Sequence, residues 1–184
     1  LNMVTYIKDM IEIGVDSFKV EGRMRSIYYI ATVIMCYRKV IDKIKDNTLT
    51  NSDIIYYNKI LNRVANRDTV PQFYDKFPSV NESYFSDRVE ISNQDFLGLV
   101  IDYDESKHLA LIEVRNYFKK GDIVEFISPK NEEITYNINT ILNEDDEIVT
   151  IANHPKEILK LPILNKLDKY SMMRLKTIDK ENLL

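Results

Sequence analysis

The sequence has little of the chemistry that makes cross-links, metal centres or membrane spans. Its single cysteine, Cys36, cannot form an internal disulfide, and no pair of Cys or His residues has metal-ligand spacing. No apolar run reaches the roughly 18 to 20 residues that cross a bilayer, and the amino terminus lacks the layout of a signal peptide. These absences predict a protein of a reducing compartment, the cytoplasm.

Charge and length are those of an ordinary globular protein. The formal net charge of -4 gives no overall attraction for nucleic acid, although a local basic face is compatible with it. The 184 residues fit two modest domains better than one large one. Because the chain starts at Leu1 without an initiator Met and runs at once into helical periodicity, we expect a piece of a longer protein.

The first part of the chain has the pattern of the end of an α/β domain. Apolar residues recur at steps of three or four before Gly14, which predicts a short helix that ends there. Residues 15–21 then alternate between apolar and polar, which predicts a strand, and Gly22 breaks it. A helix and a strand in succession, with further helices after them, favour an α/β unit.

Two longer helices are predicted next. Ser26 can cap a helix whose apolar stripe runs from Ile27 to Ile44. Residues 51–53 offer caps for a third helix, which we expect to end near Asn66. Residues 1–66 are therefore predicted to be the terminal part of an α/β domain.

The rest of the chain changes character. Residues 67–95 lose periodicity and read as an extended connector. Short alternating runs separated by turn residues then predict strands at 96–103, 108–114, 122–128, 134–142, 148–152, 158–163 and 171–177. Seven short strands in about eighty residues bury one face best by closing into a small barrel, which we place at 96–178, before a tail at 179–184.

Charged residues around Gly22 are the strongest candidates for chemistry. Alternation puts Lys19 and Glu21 on one face of the predicted strand, and Arg23 follows the turn. In α/β barrels the carboxyl ends of the strands carry the active site, so these three residues are candidate catalytic residues that bind an anion or position a proton-transfer group. An ion-pair network that only stabilises the fold is the alternative interpretation.

Other polar residues are weaker candidates. Asn66 and Arg67 are candidates for substrate binding, or simply form the end of a helix. His108 and His154 lack the neighbours of a metal site and suit surface positions. Cys36 lies near the apolar stripe of its helix, where a thiol behaves as a small hydrophobic group.

The predicted β unit mixes basic, aromatic and acidic residues. The basic residues are Arg115, Lys119, Lys120, Lys130, Lys156, Lys160, Arg174 and Lys176, with Tyr117, Phe118 and Tyr136 among them. Such residues bind phosphates and stack on bases, so Arg115, Asn116 and Lys119 are candidate substrate-binding residues. Glu113, Asp122, Glu125, Glu132 and Glu133 interleave with them, which leaves a mixed solvated surface as the alternative.

Several motifs resemble one known family. Residues 14–26, GVDSFKVEGRMRS, followed by YYIA at 28–31 and by Tyr37 and Arg38, are similar to the signature region of the U32, or collagenase-like, peptidases. The similarity continues through short motifs over most of the chain: Asn66-Arg67, Phe73-Tyr74, residues 97–100, residues 115–118 and Gly121-Asp122.

This resemblance implies a fold and an activity. It implies that residues up to 66 end a barrel-like catalytic domain and that the chain closes with a β-barrel similar to those of translation factors. The family is named for proteolysis, yet members with this arrangement resemble enzymes that hydroxylate the wobble uridine of tRNA with prephenate and an iron–sulfur cluster. We therefore expect a parent enzyme of prephenate-dependent tRNA uridine 5-hydroxylation, with a genuine peptidase and a non-catalytic binding module as the alternatives.

The resemblance also sets expectations for cofactors and partners. Members place Thr and Gly ahead of the Phe that matches Phe73, where this chain has Val70 and Gln72, and Asn2 stands where some relatives have a Cys. We expect no cofactor in this piece and an iron–sulfur cluster only in the full-length parent. The expected partners are tRNA or a protein substrate, the missing amino-terminal part of the catalytic domain, and a second copy in a dimer, and the piece alone should be inactive.

Overall fold

The structure is a computed structural model that describes residues 1–65, 69–77, 79, 94–128 and 132–179. The chain forms two compact units. One comprises Leu1–Asn93 with Ile178–Leu184, and the other comprises Gln94–Thr177. We call them the helical unit and the β unit.

In its described residues the helical unit has three α-helices, namely α1 (Ile7–Glu12), α2 (Ile27–Lys45) and α3 (Asn51–Ala65), with short 3-10 helices at Val4–Tyr6 and Gln72–Tyr74. Apolar residues at helical spacing pack these elements together. The buried members of this core are Val4, Ile7, Val33, Cys36, Val40, Tyr56, Tyr57, Ile60 and Leu61. None of the helices in the described part of the chain is long and apolar enough to cross a membrane.

The ends of these helices follow local sequence rules. Gly14 adopts a left-handed φ of 92°, and the next amide, of Val15, donates to the carbonyl of Met10 at 2.9 Å, which confirms the predicted stop of α1. The hydroxyl of Ser26 accepts the amide N–H of Tyr29 at 3.1 Å, which confirms the predicted cap of α2. Residue type alone was therefore sufficient to predict the end of α1 and the start of α2.

The predicted start of α3 was wrong by one residue. Thr50, not a residue of 51–53, is the cap: its hydroxyl accepts the Asp53 N–H at 3.2 Å. Asp53 Oδ2 in turn accepts the amide of Thr50 at 2.9 Å and its hydroxyl at 2.7 Å. This reciprocal capping box uses Asp53 inside the helix, where its side chain is buried and lies 3.4 Å from Lys43 Nζ.

The start of the chain is fastened to α2 and α3 by polar contacts. Asn2 donates its side-chain amide to Asn58 Oδ1 at 2.8 Å, and its backbone amide donates to the carbonyl of Val70 at 3.1 Å. The Tyr37 hydroxyl accepts the amide of Met3 at 2.9 Å. Burial raises the pKa of Tyr37 above its usual range, although the Met3 amide opposes the shift. Asn2 is thus a structural hub of the helical unit.

The prediction of a strand at residues 15–21 was wrong. No residue of this segment lies in a sheet, and the described part of the helical unit contains no other strand with which it could pair. A strand needs a neighbour to accept and donate its backbone hydrogen bonds. The alternation itself is real, because Phe18 and Val20 pack on the helical core while Lys19 and Glu21 are exposed.

The described residues of the β unit form ten antiparallel strands. They are β1 (Phe96–Asp104), β2 (Leu109–Val114), β3 (Phe118–Lys119), β4 (Ile123–Ile127), β5 (Ile134–Asn137), β6 (Ile141–Leu142), β7 (Ile148–Val149), β8 (Ile151–Ala152), β9 (Ile158–Pro162) and β10 (Met172–Leu175). Eight form one curled sheet in the order β5-β4-β10-β1-β2-β9-β6-β7, and β3 pairs with β8. The all-β, barrel-like fold class is confirmed.

Strand positions agree closely with the alternating runs. All seven predicted runs contain strands, but the runs at 134–142 and 148–152 are each divided in two. The inward residues make a single core, whose fully enclosed members include Val100, Ile112, Phe118, Phe126, Leu159, Leu161 and Met173. β3 was missed because two residues are too short to show a period of two.

Candidate functional site

The charged residues at 19–23, which we call the charged turn, lie on the surface of the helical unit. Lys19, Glu21 and Arg23 are all exposed. Glu21 Oε1 accepts the backbone N–H of Arg23 at 3.2 Å, so the carboxylate orders the turn. Gly22 lies close to α2, and a Cβ on it would lie 2.9 Å from Cγ1 of Ile30, so a larger residue there would have to displace that side chain.

The charged turn offers accessible cations. Within the described residues, neither Lys19 nor Arg23 takes part in an ion pair, so their charges are not neutralised by a neighbouring carboxylate. A guanidinium can grip a carboxylate through two hydrogen bonds. The arrangement can therefore bind an anionic group from solvent, while Glu21 remains tied to the backbone.

The residues of this chain do not fit an iron–sulfur cluster. Such clusters are held by several cysteine thiolates. The only cysteine of the chain is Cys36, which has no exposed surface and lies in the apolar core of the helical unit.

In the β unit, the candidate residues Arg115 and Asn116 leave β2 next to the start of β1. Their backbone amides both donate to the carbonyl of Leu97, at 2.8 and 3.2 Å. The side-chain amide of Asn116 donates to the carbonyl of Phe96 at 2.7 Å, so Asn116 anchors this segment. The guanidinium of Arg115 lies 2.5 Å from Glu113 Oε1, which offsets its charge.

The next residues present an exposed face. Phe118 is fully buried, whereas Tyr117 keeps 52% of its surface exposed. Lys119 is also exposed, and in the short ladder of β3 and β8 it lies opposite Ile151, which is 44% exposed. Because neighbours of an inward residue in extended chain point outward, Tyr117, Lys119 and Ile151 share one side. We call these three residues the Tyr117 face.

Two further lysines lie next to the same segment. The amide of Lys120 donates to the carbonyl of Thr150 at 3.0 Å, beside β8. The amide of Lys156 donates to the carbonyl of Val114 at 2.8 Å, immediately before Arg115. Both lysine side chains are exposed. The fold thus gathers Lys119, Lys120 and Lys156 at one end of the β unit.

Acidic groups near these lysines have structural partners of their own. Asp122 Oδ2 accepts the backbone amide of Lys119 at 2.9 Å and closes the turn that contains Gly121. The carboxylate of Glu113 pairs with Arg115. Asp122 keeps its negative charge beside Lys119, and the three exposed lysines outnumber it; we call Lys119, Lys120 and Lys156 the basic end.

Other basic residues of the predicted surface do not join the basic end. Arg174 is buried against Glu125, with its Nη2 atom 2.8 Å from Oε2, so grouping it with the solvated residues was wrong. Burial raises the pKa of Glu125, and the charge of Arg174 opposes that shift. Lys160 pairs with Asp146 at 2.5 Å. Lys130 lies outside the described residues.

The remaining sequence candidates are two residues after α3 and the histidine of the β1–β2 turn. Asn66 and Arg67 lie outside the described residues. His108 Nδ1 lies 3.3 Å from the hydroxyl of Tyr103, which donates to the carbonyl of Ile163 at 2.8 Å. The sequence analysis did not predict that Tyr117 points outward while Phe118 is buried. The one sequence signal for an exposed apolar surface here is Ile151, and its position opposite Lys119 is known only from the strand pairing.

Two family models match the chain. The model described as peptidase family U32 matches residues 1–83, and the model of the peptidase family U32 C-terminal domain matches residues 92–174. Together they cover nearly the whole chain, with their boundary between the helical unit and the β unit.

Individual proteins of known name are also similar. The tRNA hydroxylation protein P1 of Bacillus subtilis is 40% identical over 95% of this chain, and a collagenase of Porphyromonas gingivalis is 27% identical over 77% of it. The matches span 41% of the length of each of these relatives. The crystal structure of the C-terminal domain of a Geobacillus thermoleovorans U32 peptidase is 38% identical, with a TM-score of 0.44, and covers 46% of this chain and 94% of that one. The chain belongs to peptidase family U32.

Proposed function

We propose that this chain is the carboxy-terminal part of an enzyme that acts in prephenate-dependent 5-hydroxylation of a tRNA uridine, and that its β unit binds the RNA. The observation that carries the proposal is the 40% identity, over 95% of this chain, to a protein named for tRNA hydroxylation. Similarity at this level extends through both units and favours a shared activity of the complete proteins.

The basic end supports the RNA-binding part of the proposal. Phosphate contacts from Lys and Arg supply much of the affinity for RNA and are weakened by salt. Lys119, Lys120 and Lys156 are exposed around the Tyr117 face. A negative net charge of the whole chain limits binding elsewhere, so the basic end is the natural contact surface.

A salt titration tests this part. Binding of tRNA to the chain, followed by fluorescence anisotropy, should weaken as salt rises, and Lys119→Ala should reduce the slope of log K against log salt by about one. The matched control is Lys107→Ala, which removes the same charge from the exposed turn at the opposite end of the β1–β2 hairpin. Absence of binding at low salt would contradict an RNA-binding role and leave a protein ligand for the β unit.

The charged turn supports the second part, recognition of a carboxylate substrate such as prephenate. Lys19 and Arg23 are accessible cations, and Glu21 holds the turn through the Arg23 amide. We propose that Arg23 grips a substrate carboxylate and that Glu21 positions it or moves a proton.

Cells that carry the complete gene test the charged turn. Arg23→Ala and Glu21→Gln should lower the fraction of hydroxylated tRNA uridine, measured by mass spectrometry of digested tRNA. Lys8→Ala is the control, because Lys8 is an exposed cation of α1 that pairs with Glu12. Unchanged hydroxylation in both variants at equal protein levels would remove these residues from the mechanism.

A peptidase is the second candidate function, favoured by the similarity to a collagenase. Two candidates for a nucleophile and a base are not brought together, however: Cys36 is buried and His108 contacts Tyr103. Incubation of the complete, highly purified protein with denatured collagen distinguishes the two functions. Cleavage that disappears in Glu21→Gln, together with unchanged tRNA hydroxylation, would favour the peptidase.

We also propose that the helical unit contacts further protein. Ile27, Ile30 and Ile34 lie along one side of α2 and are exposed, although exposed apolar stripes are unusual on isolated proteins. The remainder of the catalytic domain would cover this stripe in the complete enzyme. Analytical ultracentrifugation compares the complete protein with the 184-residue chain, and self-association of the chain alone would support a dimer through the same surface.

A further inference from the structure

We propose that the Tyr117 face is a subsite for one unpaired RNA base, which stacks on the Tyr117 ring while Lys119 contacts the adjoining phosphate. This inference rests on the proposed RNA-binding function and specifies its ligand: a single-stranded segment of RNA rather than a duplex.

The fold holds the Tyr117 ring outward at a fixed place. On one side, the side chain of Asn116 is bonded to the carbonyl of Phe96 at 2.7 Å. On the other side, Phe118 is buried without exposed surface in the core of the β unit, and its strand pairs with β8. A residue between two such anchors has little freedom to turn inward. An exposed aromatic ring is thus presented at low cost in backbone entropy.

The neighbours of the ring suit a nucleotide. Ile151 lies across the ladder from Lys119 and diagonally from Tyr117 in the register, which adds an exposed apolar group on the same side. Lys119 and Lys120 directly follow Phe118 in sequence and are exposed, so two cations lie within three residues of the ring. Stacking platforms flanked by cations are the recurring solution for binding single strands.

The geometry favours an unpaired base over a paired one. Bases in a duplex are stacked on both faces, and only a base splayed out of a loop or single strand can offer a face to a protein ring. Tyr117 directly precedes a two-stranded ladder of two residues each, which is too small to follow a duplex groove. Lysine contacts to phosphates, in contrast, serve either form of RNA.

The test compares two RNAs and three variants. A short single-stranded oligoribonucleotide with one 2-aminopurine base and a duplex of the same length are titrated with the 184-residue chain. We expect Tyr117→Ala to weaken binding of the single strand roughly five- to a hundredfold, with duplex binding changed less than about twofold. Tyr117→Phe should bind like the wild type, and Lys119→Ala should weaken both RNAs. Quenching of 2-aminopurine fluorescence should occur with the wild type and disappear in Tyr117→Ala.

The outcomes separate this subsite from the wider proposal. The subsite would be overturned if Tyr117→Ala bound the single strand with wild-type affinity and quenched it as the wild type does. If Lys119→Ala still weakened binding in that case, the RNA-binding proposal would stand. No binding of either RNA by the wild type would overturn both. Equal losses for single strand and duplex in Tyr117→Ala would overturn the preference for unpaired bases. Urea unfolding of each variant checks the fold, and a matched loss in Tyr103→Ala would mark the effect as structural, because Tyr103 is tied to the carbonyl of Ile163.

Discussion

Replacing Arg174 by methionine should strongly destabilise the β unit. Arg174 on β10 lies directly opposite Glu125 on β4, and its Nε and Nη2 atoms are each 2.8 Å from Oε2 of that carboxylate. Their side chains are only 5% and 7% exposed. Glu133 Oε2 lies 3.8 Å from the same guanidinium. Methionine would therefore leave two carboxylates facing each other with their buried cation removed.

The magnitude follows from the loss of one partner of a buried pair. Such changes cost about 3–5 kcal/mol, because the remaining charge keeps its desolvation penalty without its partner. For a domain of 60–100 residues, each kcal/mol lowers the melting temperature by roughly 4–8 °C. The variant should therefore melt roughly 12–40 °C below the wild type, and in urea its β unit should unfold at a much lower midpoint.

Thermal and urea unfolding followed by circular dichroism measure this effect. The double variant Arg174→Met with Glu125→Leu removes both charges and should recover most of the loss, since apolar replacements of a buried pair are often neutral. Lys166→Met is the control, because its ion pair with Glu105 is exposed and should contribute less than about 1 kcal/mol. The argument would be refuted if Arg174→Met melted within a few degrees of the wild type. It would also be refuted if the double variant were as unstable as Arg174→Met alone.

Three further changes test separate features. Gly98→Ala should lower the free energy of unfolding in urea by about 1–3 kcal/mol, because the Cβ of the alanine would lie 2.5 Å from Cγ2 of Ile112. An unfolding midpoint equal to that of the wild type would contradict this close packing. Ser26→Ala should lower the free energy of unfolding by about 1 kcal/mol, because the backbone N–H of Tyr29 loses its hydrogen bond to the Ser26 hydroxyl. Ser26→Asp should retain stability, because its carboxylate can accept the same N–H. Burial raises the pKa of Glu125 in the folded protein above its ordinary value of 4.5. The folded state therefore holds this proton more tightly than the unfolded state, so the stability that Glu125 contributes is fully present below pH 4.5 and is lost as pH rises through the folded pKa. In Glu125→Gln this decline between acid and neutral pH should be absent from the urea midpoints.

Local signals predicted those parts of the fold that local chemistry determines. Gly14 and Ser26 end and begin helices through contacts within five residues, and both positions were predicted from residue type. Alternation in the β unit located the strands, because one face of each long strand meets a common core. The barrel-like class followed from the number and shortness of those strands.

Features that depend on a distant partner were not predictable in the same way. Residues 15–21 alternate as a strand does, but sheet pairing requires a neighbour that the described part of the helical unit lacks. β3 depends on β8, more than thirty residues away, and has no period of its own. The burial of Arg174 depends on its register with Glu125, which no residue near it in sequence reveals.

The same dependence decides where RNA could bind. Counting basic residues along the sequence treats Arg174, Lys160 and Lys119 alike, yet the first two are committed to Glu125 and Asp146. A cation that already has a carboxylate partner releases few counterions from RNA, because binding must first break or share that pair. Within the part of the chain that the structure describes, the ammonium groups of Lys119, Lys120 and Lys156 take part in no ion pair, so affinity should respond to them and not to total charge. Measuring the salt slope of each lysine variant is therefore a more direct probe of the interface than any change in net charge.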